Sequence, residues 1–160
     1  MASLIIEDGS VVANSNSYIT LTEFKEYCSD RGFEIGQEED DKYISQIILA
    51  CEYLNSLGFI GEPAAAYRKM AFPRLNIGLD NVIPQQIKEA QGYIAYKMID
   101  GFDFFKIVES NGGIQSETVG PLSTTYFGSK SEVTKDSISY LNGLLKDFLS
   151  NQSGMFRFAV

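Results

Sequence analysis

The 160-residue sequence has no histidine and only two cysteines, Cys28 and Cys51. The first absence removes the commonest general base and the commonest metal ligand. Two cysteines are too few for a disulfide scaffold or a four-cysteine zinc site. Positive charge is scarce too: thirteen Lys and Arg face twenty-one Asp and Glu, a formal net charge of −8. Duplex-DNA binders gain much of their affinity by neutralising phosphates, so this balance argues against one. No apolar run approaches the ~18–20 residues of a membrane span. The opening Met1–Asp8 has no basic n-region and turns acidic at once, unlike a signal peptide. On that reading Asn151-Gln152-Ser153 is a chance glycosylation sequon in a protein assembled in a cytoplasm.

What remains is 44% hydrophobic residues. A chain of this length can bury ~70% of its unfolded surface, so one domain folds without metal or disulfide. Charge is unevenly placed. Residues 1–62 hold twelve acids and three bases, and the remainder nine acids and ten bases. Either an acidic face or ordinary solubilising charge accounts for this.

Four helices are legible. Thr20-Leu21-Thr22-Glu23 is a capping box, with Ile19 and Phe24 at hydrophobic-staple positions and Gly32 as a left-handed stop. A second helix starts in the acidic run Glu38–Asp41, carries Tyr43, Ile44, Ile47, Ile48, Cys51 and Leu54 at helical spacing, and ends at Gly58. Adjacent acids on a helix diverge, so the run is a solvated helix start and not a metal site. Pro84 suits the first position of a third helix, whose stripe is Ile87, Ala90, Ile94, Met98 and Phe102. A fourth helix starts at Thr134, with Ile138, Leu141, Leu145, Phe148 and Leu149 on its apolar face. Before the first helix, the turn-rich residues 4–19 read as a short strand or extended arm. Between the third and fourth, Gly112-Gly113, Gly120-Pro121 and Gly128 bracket a hairpin at about 107–130. The expectation is a mainly α bundle of about four helices with a small β-hairpin and extended arms: a helical domain over 1–150 and a C-terminal tail over 151–160. The tail's Met155-Phe156-Arg157-Phe158 is apolar, and either packs as a strand on its own core or docks on a partner.

Catalytic patterns fail in turn: there is no G-x-S-x-G, no H-E-x-x-H and no Cys/His pair. Gly128-Ser129-Lys130-Ser131 has the wrong spacing for a phosphate loop. The cysteines fall on apolar helix faces, where Cys acts as a small hydrophobe. No catalytic residue, cofactor or metal is expected. One cluster has the character of a nucleic-acid contact, Tyr67, Arg68, Lys69, Phe72 and Arg74, since cations interleaved with aromatics can track a backbone and stack bases. The same aromatics could equally be core.

Several segments resemble a known family. Ile6-Glu7-Asp8-Gly9, then Ala13–Glu23, then Tyr27 and Arg31-Gly32, are similar to the opening of tailed-phage head-to-tail connector (adaptor) proteins, relatives of which are also catalogued as DnaT-like single-strand-DNA-binding proteins. Ala71-Phe72-Pro73-Arg74, Ile83-Pro84 and Ser116–Ser123 resemble later segments of that family in the same order. The resemblance implies a structural protein of the virion neck: a homo-oligomeric, dodecameric ring between portal protein and tail, with DNA passing through its lumen without specific binding. It also implies inter-subunit strand contacts through Leu122, Thr124 and Tyr126, and docking of Met155, Phe156, Arg157 and Phe158 on the portal or a neighbour. The alternative it carries is a single-strand-DNA-binding module using Arg68, Lys69 and Arg74.

Overall fold

The computed structural model describes residues 3–65, 69–105 and 131–150, with side chains from residue 136 onward in the last stretch. The fold is mainly α, as expected, with four helices and one small antiparallel pair among the described residues. Helix α1 spans Leu21–Asp30, α2 Asp40–Asn55, α3 Gln85–Ile99 and α4 Ser131–Leu145. Strands β1 (Glu62–Pro63) and β2 (Arg74–Leu75) pair with Glu62 opposite Leu75 and Pro63 opposite Arg74. The hairpin expected at 107–130 and the tail 151–160 lie outside the described residues, so Leu122, Thr124, Tyr126 and Met155–Phe158 do too.

Local signals set most helix ends. The Glu23 amide donates to Thr20 Oγ1 at 3.1 Å and the Thr20 amide to Glu23 Oε2 at 2.7 Å, completing the capping box. At the other end Gly32 takes φ +64, and the Gly32 and Phe33 amides return to the Ser29 and Cys28 carbonyls. That is a Schellman closure, and α3 repeats it at Gly101, whose neighbour Phe102 donates to Lys97 O at 2.9 Å. Several ends differ from expectation, and α4 stops at Leu145, so Phe148 and Leu149 lie beyond it. Helix α2 stops at Asn55, not Gly58, because the Ser56 hydroxyl takes the Tyr53 carbonyl and Asn55 turns to tertiary partners. Pro84 is the cap of α3 and not its first residue, since its ψ of 141° is extended. Helix α4 begins at Ser131, three residues before Thr134.

The core lies where α1, α2 and α4 meet α3, filled by Phe24, Ile47, Leu54, Phe72, Ile87, Ile94, Leu141 and Leu145. Gly92 admits α1: a Cβ there would stand 3.0 Å from the Tyr27 ring. One buried amide ties three segments together. Gln91 accepts from the Tyr18 amide at 2.9 Å and donates to Ser17 Oγ and Ile47 O, each at 2.9 Å. The N-terminal arm is irregular, with a lone parallel bridge between Ile6 and Ser17, and it winds around the fully buried Glu7. That carboxylate accepts from the amides of Gly9, Val11 and Val12 and from Ser15 Oγ, at 2.9–3.1 Å. Val11 has φ +64, a conformation a β-branched residue rarely adopts, and the carboxylate holds its amide there.

Candidate nucleic-acid interface

The basic-aromatic cluster near residue 70 does not stay together on the surface. Phe72 is buried among Tyr18, Phe59 and Phe148, each meeting it edge to face. Arg74, expected as a nucleic-acid contact, is 8% exposed and points inward. Its Nε donates to Ile60 O, its Nη1 to Ala71 O and its Nη2 to Phe59 O and Gly61 O, at 2.5–3.1 Å. The carbonyls of three consecutive residues therefore solvate the charge, and Arg74 acts as a clip that stands in for a strand. Burial lowers its pKa. Arg74 is thus corrected from a contact residue to a structural one, because each of its three guanidinium nitrogens donates to a backbone carbonyl. Tyr67 and Arg68 lie outside the described residues. Lys69 is exposed.

Lys69 stands at the rim of an open cleft of about 520 Å³. One wall is the arm residues Ala13, Asn14, Ser15 and Asn16; the other is α2 through Ile48, Cys51, Glu52 and Asn55; Met70 completes it beside Lys69. In the arm wall the side chains of Ser15 and Asn16 are already engaged. Asn16 accepts from the Ile5 amide at 2.8 Å and donates to Ser3 O at 2.9 Å, while Ser15 serves Glu7. The α2 wall is fixed by a chain of bonds: the Phe72 amide donates to Tyr18 Oη at 3.1 Å, which donates to Asn55 Oδ1 at 2.7 Å, where the Ala71 amide also arrives at 2.8 Å. Burial raises the Tyr18 hydroxyl pKa and pushes the Cys51 thiol up to about 12, so both keep their protons at neutral pH. Cys28, buried on α1, is pushed up to about 11. Neither thiol has thiolate character for nucleophilic chemistry.

A second surface escaped the sequence reading. Phe33 stacks on Tyr96 at 4.2 Å and 9°, Tyr93 meets Tyr140 at 4.6 Å, and Arg31 lies 3.9 Å from the Tyr27 ring centre. Lys97 covers Tyr93 and Tyr96 at 5.8 and 5.6 Å. Tyr140 is 43% exposed. The available signal was the Tyr93/Tyr96 spacing on α3, but its partners come from the α1 exit and α4. Cations near acids are elsewhere committed: Lys25 to Asp40, Lys42 to Glu38, Lys88 to Glu23 and Arg31 to Glu89, at 2.7–3.6 Å. Among the described residues no group of three or more His, Cys, Asp or Glu is arranged to hold a metal, and no helix is long and apolar enough to cross a membrane.

Fold and cleft together define a small helical protein with an open cleft lined by polar and apolar side chains. The chain belongs to the family described as "Putative DnaT-like ssDNA binding protein", whose model matches residues 2–160. No curated protein and no solved structure matches the sequence. The comparisons therefore bear out the DnaT-like part of the resemblance and lend nothing to the head-to-tail connector part.

Proposed function

We propose that the protein binds single-stranded DNA weakly and without catalysis, along the cleft between the N-terminal arm and α2. The observation that carries this reading is Lys69 at the rim of a groove walled by amides and apolar side chains, in a chain whose family is described as DnaT-like and ssDNA-binding. Such a groove can take bases while Lys69, with Arg68 beside it in sequence, meets the backbone. With a net charge of −8 the affinity should be modest and strongly dependent on salt. Fluorescence anisotropy of a labelled oligothymidylate tests it. Saturable binding at low salt that weakens on Lys69→Ala supports the reading; no binding at about 100 µM protein overturns it.

A second reading, the head-to-tail connector, is favoured by the exposed Tyr140 of α4 and the half-buried Tyr96 of α3, since Tyr is enriched at protein–protein contacts. In it the protein forms a homo-oligomeric ring of about twelve copies between portal and tail in the virion neck. Leu122, Thr124 and Tyr126 would join neighbours, and Met155, Phe156, Arg157 and Phe158 would dock. Mass photometry of the protein alone and with portal rings tests it: a solitary chain in both samples rules it out.

A further inference from the structure

One side chain in the cleft is oriented by its surroundings and only weakly satisfied. Asn55 Oδ1 accepts from both Tyr18 Oη and the Ala71 amide. Flipping the amide would set its NH₂ against the Ala71 N–H, donor to donor, so the orientation is fixed. The Nδ2 hydrogens then have Cys51 Sγ and Met70 Sδ as partners, each at 3.5 Å. Thiol and thioether sulfurs are weak acceptors. Ile48 and Met70 give the same cleft apolar walls, and Lys69 stands at its mouth.

We propose that this cleft is a pocket for one keto-bearing nucleobase, with Asn55 Nδ2 donating to the base carbonyl and Lys69 meeting the phosphate attached to it. The proposal rests on the single-strand reading and adds a base preference to it. Thymine offers a carbonyl oxygen where adenine offers an amino group, which would face the Asn55 donor unfavourably. A carbonyl oxygen replaces one of the two N–H···S contacts with a stronger bond, and the Cys51 thiol still donates to Met70 Sδ at 3.7 Å.

The test compares oligothymidylate and oligoadenylate of about ten nucleotides, with thymidine monophosphate as competitor, by anisotropy. One hydrogen bond corresponds to a preference of about three- to tenfold for thymidylate. Asn55→Asp keeps Oδ1 as acceptor for Tyr18 and Ala71 but deletes the donor, and should abolish the preference. Lys69→Ala should weaken both oligonucleotides alike. Where Asn55→Asp fails to fold, the side-chain amide resonances of Asn55 in the wild-type protein are the readout, and they should shift with thymidylate and not with adenylate. Equal binding of the two oligonucleotides overturns the base pocket and leaves the strand reading standing. No binding of either overturns both. Monophosphate competing as well as the strand retains the pocket and assigns it to free nucleotide.

Discussion

Lys69 and Arg74 stand five residues apart and carry the same charge, yet one reaches solvent at the rim of a cleft and the other is buried against the carbonyls of Phe59, Ile60 and Gly61. The difference lies in what surrounds each. Arg74 follows Phe72 and Pro73 into the core, and the extended run Phe59–Gly61 presents three carbonyls to its planar fork. A guanidinium can satisfy several acceptors at once in fixed directions, which a lysine ammonium cannot do. Lys69 precedes Met70, the residue at which the chain turns inward, and so keeps its head in water. A basic-aromatic pattern thus holds two unrelated devices, a clip and a contact, and substitutions should separate them.

The largest effect should come from Arg74→Ala. Four carbonyls lose their donor in a buried setting, at about 1–3 kcal/mol for each one left without a substitute, so a total loss of about 3 kcal/mol or more is expected. Arg74→Lys should recover less than half of it, because one ammonium cannot span Phe59, Ile60 and Gly61. Urea unfolding measures both. Wild-type stability in either variant would mean that the clip is not structural. Glu7→Gln comes next, at about 2 kcal/mol: its amide keeps one acceptor and turns an NH₂ toward backbone amides that now donate to a carboxylate.

These two residues also mark where sequence reading stops. The capping box at Thr20, the staple Ile19/Phe24 and the Gly32 closure were legible because their partners lie within a few residues. The inner faces of α2, α3 and α4 were legible from 3.6-residue spacing, and so was the mainly α class. The clip role of Arg74 has no sequence signature because three of its four partners are backbone carbonyls thirteen to fifteen residues upstream. Glu7 and Gln91 passed unnoticed for the same reason: a buried carboxylate or amide looks like a surface residue until its donors are known. The cleft draws its walls from residues 13–16, 48–55 and 69–70, so only Lys69 could be found in advance.

Alkali should act through the buried thiols and the Tyr18 hydroxyl. The Cys51 thiol at about 12 and the Cys28 thiol at about 11 are both raised by burial, and so is the Tyr18 hydroxyl. In the unfolded chain these groups lose their protons from about pH 8.5 for Cys and 10 for Tyr. The native state holds them longer, so above about pH 9 the unfolded chain binds fewer protons and stability falls as pH rises. Below that point their contribution is fully present. The urea midpoint should be flat from pH 7 to about 8.5 and then decline, and Cys51→Ala should make the decline shallower; a midpoint that climbs through pH 10 contradicts the burial.

Lys69→Ala should produce the smallest change in folding and the most informative one in binding. An exposed lysine at a cleft rim contributes to stability within about 0.5 kcal/mol, so the urea midpoint should hardly move. If Lys69 meets one phosphate of a single strand, its loss should reduce the slope of log affinity against log salt by about 0.7. Arg74→Lys, which keeps the charge and disturbs the fold, should leave that slope unchanged. The two variants then give opposite patterns: folding intact with a shallower salt slope, against folding damaged with the slope retained. A shallower slope in Arg74→Ala, which removes the charge, would place the guanidinium in contact with the strand and reverse the roles assigned to the two cations.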